Sequence, residues 1–189
     1  MPHRLSPMID EAARSLTAAF RHHWPANVRK EQAEANAITH LGIALARADF
    51  HVYAEIPENG GGRVDLFAAR RADRIAVAVE GKRLWNTGGA ESMAIDHQRL
   101  LKLRLATKER HPAGYDCFGI LLATTWGAGV QPWWADPERP ELPGGCREPR
   151  GWQRLRTALG TAARIETHPL GRPDHHLLYA VYACDSWFT

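Results

Sequence analysis

VDLFAARRADRIAVAVEGKRL, residues 64–84, decides how this chain is read. Ile75, Val77 and Val79 alternate with small residues in an apolar run that ends in Glu80, Gly81 and Lys82, while Asp65 stands just inside the run before it. Two such runs joined by Arg71, Ala72 and Asp73 predict an antiparallel hairpin. The midpoint of Asp65 and Glu80 falls between 72 and 73, so a symmetric turn sets the two carboxylates opposite one another. Like charges directly opposite destabilise a sheet. A divalent cation between them removes the conflict, because Mg²⁺ is held by one or two carboxylates together with waters and substrate phosphate. If the strand continues through Gly81, Lys82 points the same way as Glu80. Ala76 and Ala78 precede them on that face, and their small size leaves room for a helix or a substrate.

Working outward, Ser6 and Pro7, with Asp10 and Glu11 close behind, start a helix that runs to about His22 before Pro25 stops it. Asn27 then caps a second helix over about 28–48, whose buried face carries Ile38, Leu41, Leu45 and Ala48. Extended toward the N-terminus, that face reaches Glu34 and then Glu31. Three strands are predicted at about 50–56, 63–70 and 74–80, the first two joined by the turn ENGGG at 58–62. A helix over 91–110, a strand over 115–125, a long Pro- and Gly-rich loop over 126–150, a short helix over 151–159 and strands at 163–168 and 176–183 complete the chain. The order is α-α-β-β-β-α-β-α-β-β.

Two acids and a lysine on one face of adjoining strands, with a glutamate from a neighbouring helix, suit metal-dependent phosphodiester hydrolysis. The metal polarises the phosphate and acidifies a bound water, and Lys82 orients the nucleophile or stabilises developing negative charge. Asp65, followed after fourteen residues by Glu80-Gly81-Lys82, resembles the PD-(D/E)xK nuclease superfamily, and the predicted order from the helix at 28–48 through the strand at 115–125 is similar to that family's αβββαβ core. The resemblance implies a single restriction-endonuclease-like α/β domain over 1–189, with a mixed central sheet flanked by helices, an extra N-terminal helix and extra C-terminal strands. It implies that Asp65 and Glu80 bind Mg²⁺ or Mn²⁺, that Lys82 is catalytic, and that Glu34 is the first-helix acid of the resolvase-like branches, with Glu31 as fallback. DNA is the implied substrate and RNA the second choice; a homodimer would serve to cut two strands. Val64 stands where the name-giving proline would be. The helix at 91–110 lacks a QxxxY pattern, Gln98 being followed four residues on by Lys102. The alternative is a catalytically inactive member of the same fold that binds nucleic acid or protein.

Other features bound the reading. A chain of 189 residues suffices for one sizeable core. Its net charge of +3 and pI near 8.9 permit a polyanionic partner without demanding one. The N-terminus has no signal-peptide core and no segment approaches the roughly 18 apolar residues of a membrane span, so a cytoplasmic protein is expected. Cys117, Cys146 and Cys184 have neither disulfide-framework nor zinc spacing and read as reduced thiols. In the long loop, Trp133, Trp134 and Arg147 are the candidate nucleic-acid contacts, beside Trp126, Arg139 and Arg150. Such side chains stack bases and neutralise phosphates, though the rings equally well cover a core edge or bind a protein. One of Asp96, His97 and Gln98 should face the site. Arg70, Arg71 and Arg74 read as a solvated hairpin tip. Asp174-His175-His176 and the pair His22 and His23 invite metal readings, and a phosphoesterase using the histidines is the rival enzyme class.

Overall fold

A computed structural model describes residues 2–22, 34–58, 62–105, 114–143 and 149–188. The positions of Asn27, Glu31, His23, Gly60, Gly61, Cys146 and Arg147 lie outside the described residues. The elements are α1 (Ser6–His22), α2 (Glu34–Arg47), β1 (His51–Glu58), β2 (Gly62–Arg70), β3 (Ile75–Arg83), α3 (Thr87–Lys102), β4 (Asp116–Thr125), α4 (Val130–Ala135), α5 (Arg150–Leu159), β5 (Arg164–Pro169) and β6 (His176–Cys184). The strands form one open six-stranded sheet in the order β1-β2-β3-β4-β6-β5. Only β3 and β4 run parallel, joined by the crossover helix α3, and every other neighbouring pair is antiparallel. The molecule is therefore an α/β protein with a mixed sheet.

Alternation of side chains across each strand divides the core in two. Ile75, Val77 and Val79 of β3, with Ile120 and Leu122 of β4, pack under α1 and α2 against Leu16, Leu41 and Leu45. Ala76 and Ala78 lie on the other face, where Met93 and Leu100 of α3 and Trp152 and Leu155 of α5 cover them. The space left by the two alanines is filled by a helix. Residues 75–81 of β3 are buried throughout, as expected of a central strand paired on both sides.

Three differences from the sequence reading have local causes. Helix α3 begins at Thr87, ahead of the predicted 91, because Asn86 caps it, its side chain accepting a hydrogen bond from the Gly89 backbone N–H at 2.8 Å. The predicted loop at 126–150 contains the short helix α4, which tolerates Pro132 because proline is admitted in a first turn. Arg70 is not merely solvated. It pairs with Asp73 through two contacts, at 2.9 and 2.7 Å, donates to the Ala48 carbonyl at 2.8 Å and lies over the Phe50 ring, tying the hairpin tip to the end of α2.

Cys117 and Cys184 are free thiols that face each other across the β4–β6 ladder, and burial pushes the Cys184 thiol up to about 11. Among the described residues no helix is long and apolar enough to cross a membrane.

Candidate active site

The β2–β3 register runs from Arg70↔Ile75 to Leu66↔Val79, and its continuation sets Asp65 across from Glu80. The ladder stops one pair short of them. On the other side of β2 the β1–β2 ladder also skips this level, between Ala54↔Leu66 and Ile56↔Val64, and Glu55 there has φ 53°. A non-glycine residue in the left-handed region is uncommon and costs roughly 1–2 kcal/mol. Freed from both ladders, the chain at Asp65 turns its carboxylate toward β3, where Oδ2 accepts a hydrogen bond from the Gly81 N–H at 2.8 Å.

Gly81 makes room for the side chain above it. A Cβ there would stand 2.6 Å from Cδ1 and 2.9 Å from Cγ1 of Ile38, so any larger residue forces the Ile38 side chain of α2 to shift. Glu34 is the first residue of α2, one turn before Ile38 and on the same helix face; its side chain lies outside the described residues.

Glu80 and Lys82 point to the opposite face, toward α3. Lys82 Nζ lies 3.0 Å from Asp96 Oδ2 in an ion pair. Of the three candidates on α3, Asp96 is the one that faces the site. His97 is buried against Tyr182 with ring centroids 4.5 Å apart, and Gln98 is exposed. Arg99, which sequence reading missed, threads the acids together. Its guanidinium lies 3.1 Å from Asp96, 3.2 Å from Glu58 and 3.5 Å from Glu80, and it donates to the Arg63 carbonyl at 2.7 Å. The signal for it was the i,i+3 spacing from Asp96.

Glu80 is only 2% exposed, and its Oε1 receives no hydrogen bond. Burial, then the charges of Asp96 and Asp65, push its carboxyl up to about 8 against the opposing pull of Arg99 and Lys82. Four carboxylates, Asp65, Glu80, Asp96 and Glu58, thus share two cationic side chains, Lys82 and Arg99. The cluster is short of two positive charges, and without an ion Glu80 makes up part of the deficit by holding a proton at neutral pH. No three of these carboxylates bring ligand atoms within 4.8 Å of one another; an oxygen-only donor set is of the kind that suits Mg²⁺ or Mn²⁺.

The other predicted residues fall elsewhere. Trp133 and Trp134 are fully buried and belong to the core under α5: Trp133 meets the Trp152 ring edge-on at 5.0 Å and Trp134 Nε1 donates to the Tyr179 carbonyl at 3.3 Å. Rings without an exposed face stack no base, so their assignment as nucleic-acid contacts is corrected to core. Asp174 is bonded to His175 at 2.7 Å, and His175 is itself buried between the Phe20 and Trp126 rings. Among the described residues one trio brings three ligand atoms within 4.8 Å of one another: Asp10 of α1 with Glu166 and His168 of β5, far apart in sequence and so unseen there. Its Glu166 is already engaged, accepting from the Tyr179 hydroxyl at 2.6 Å and pairing with Arg164, and His168 Nε2 lies 3.3 Å from Asp10.

Comparison of the chain with protein-family models, with curated proteins and with solved structures finds no match.

Proposed function

We propose that this chain is a metal-dependent nuclease with a restriction-endonuclease-like core, acting on DNA. The observation that carries the reading is the buried Glu80 carboxyl, without a hydrogen-bond donor on Oε1, beside Asp65, Asp96 and Lys82. The run α2-β1-β2-β3-α3-β4 supports it, since it has the αβββαβ order such a core requires.

In this reading Asp65 and Glu80 hold Mg²⁺ or Mn²⁺. When bound, the cation polarises the scissile phosphate and lowers the pKa of a water. Glu80 would hold the ion as a carboxylate, its proton passing to solvent. Lys82, kept in place by Asp96, directs its ammonium at the nucleophile or at charge developing on the phosphate. Arg99 holds the Asp96 carboxylate by a hydrogen bond at 3.1 Å and adds positive charge 3.5 Å from Glu80. Glu34 is the auxiliary acid contributed from the start of α2.

A second reading, a non-catalytic nucleic-acid-binding or protein-interaction module of the same fold, is favoured by Arg99 itself, because a guanidinium shared by three carboxylates is also how a purely structural ion-pair network looks. Incubating plasmid, linear single-stranded DNA and RNA with Mg²⁺, Mn²⁺ or EDTA separates the two. The nuclease reading expects cutting that EDTA stops and that Lys82→Ala lowers by about 100-fold or more; a wild-type protein inert toward every substrate with either ion sinks it in favour of the module.

A further inference from the structure

We propose that the Arg99 guanidinium fills the place of a second divalent cation, so that the candidate centre works with one ion; the proposal rests on the metal-dependent nuclease reading. Four oxygens, each from a different element, surround that guanidinium. Nη1 donates to Asp96 Oδ1 of α3 at 3.1 Å, Nε to Glu58 Oε1 of β1 at 3.2 Å and Nη2 to the Arg63 carbonyl of β2 at 2.7 Å, while Nη2 also stands 3.5 Å from Glu80 Oε1 of β3. Three carboxylates and a backbone carbonyl are the kind of donor set that a hard cation collects. A planar fork is broader than an ion, so the carboxylate oxygens around it stand farther apart than the 4.8 Å of a closed ligand set.

Two observations show that positive charge is required here. Glu80 is 2% exposed and its Oε1 receives no hydrogen bond, which leaves a buried carboxylate oxygen directed at a position that Arg99 reaches only at ion-pair distance. The Arg63–Glu58 side of the cluster is opened by a glycine: a Cβ at Gly62 would run into Glu58 Oε1 and stand 3.1 Å from Arg99 Nη2.

Charge then decides the number of ions. Asp65, Glu80, Asp96 and Glu58 are set against Lys82 and Arg99, a shortfall of two positive charges that one divalent ion covers. Without Arg99 the shortfall is three, and one ion leaves a carboxylate of this cluster uncovered, which is costly away from water. Glu80 is common to both positions, with Asp65 near it on one side and Arg99 on the other. The Arg99 side chain is 32% exposed, so solvent and ions reach its place. A tethered charge does not dissociate, and a centre built this way depends on one free ion where it would otherwise need two.

The test counts Mn²⁺ per folded chain by native mass spectrometry for wild type, for Arg99→Gln and for the double variant Arg99→Gln, Glu58→Gln, each exchanged into Mn²⁺. Arg99→Gln should carry one ion more than wild type, two against one, and adding Glu58→Gln should bring the count back to one. If circular dichroism shows that Arg99→Gln folds only in Mn²⁺, the same two ions are expected of the folded chain. Equal counts for wild type and Arg99→Gln overturn the proposal, because the uncovered acids have then taken protons in place of an ion. An additional ion that survives Glu58→Gln overturns it as well, since that ion binds elsewhere, and so does an Arg99→Gln chain that Mn²⁺ does not fold. The nuclease reading fails separately. A wild type that takes no Mn²⁺, beside an Arg99→Gln chain that takes one, keeps the proposal and removes the ion beside Asp65, whereas a wild type that cuts DNA with one Mn²⁺, and whose count Arg99→Gln does not raise, does the reverse.

Discussion

Glu80 is the residue on which sequence and structure meet most closely. Equal spacing about the 72–73 midpoint put it across from Asp65, and the register agrees, because a four-residue turn over 71–74 leaves no slack in the pairing. Its pH behaviour follows from its surroundings. Its folded pKa, about 8, lies above the ordinary 4.5, so between those values the folded chain holds a proton that the unfolded chain has lost, and stability falls as pH rises through the window. The buried His97 and the half-buried His40 and His176 are shifted downward by desolvation; their contribution changes below about 6.5 and stays flat above it. From pH 7 to 8 Glu80 dominates. Urea denaturation in EDTA should show wild type losing about 1 kcal/mol over that unit relative to Glu80→Gln, and parallel pH profiles for the two proteins would contradict the buried, protonated carboxyl. For Arg99 only the pairing with Asp96 was legible in the spacing, since nothing in one sequence says that a helix arginine will reach Glu58 on β1 and Glu80 on β3.

At the scale of elements, strong periodicity was readable and local capping was not. The third strand and the helix after it were evident, but Asn86 moved the helix start by four positions. The ladder breaks beside Asp65 have no sequence signature of the usual kind, because the positive φ falls on Glu55 rather than on a glycine. The closeness of α2 to β3 hangs on Gly81. Gly81→Ala should cost about 1–3 kcal/mol as the new methyl forces Ile38 aside. Combining it with Ile38→Ala should recover about 1 kcal/mol of the summed single losses; strict additivity in urea denaturation would show that the helix does not press on this glycine. The helix α4 was missed because Pro and Gly crowd its surroundings, although adjacent tryptophans in a short segment are commonly core anchors.

For the whole molecule, the parallel β3–β4 pairing was implied by the helix between them, whereas the insertion of β6 between β4 and β5 depends on long-range packing that no local pattern encodes. A buried tryptophan and an exposed one differ in what they tolerate. Trp134→Ala should destabilise the fold by about 3–5 kcal/mol, while Trp85→Ala should stay within about 0.5 kcal/mol, a contrast that chemical denaturation reads directly and that equal losses would refute. The charge deficit around Asp65 and Glu80 is read most plainly by a calorimetric titration of Mn²⁺ into the wild-type chain, into Asp65→Asn and into Glu80→Gln. One ion per chain is expected for wild type, with affinity reduced about 100-fold or more in each variant, each of which removes one of the two carboxylates proposed as ligands. Mn²⁺ uptake that is undiminished in both variants, or no uptake by wild type at all, would contradict it.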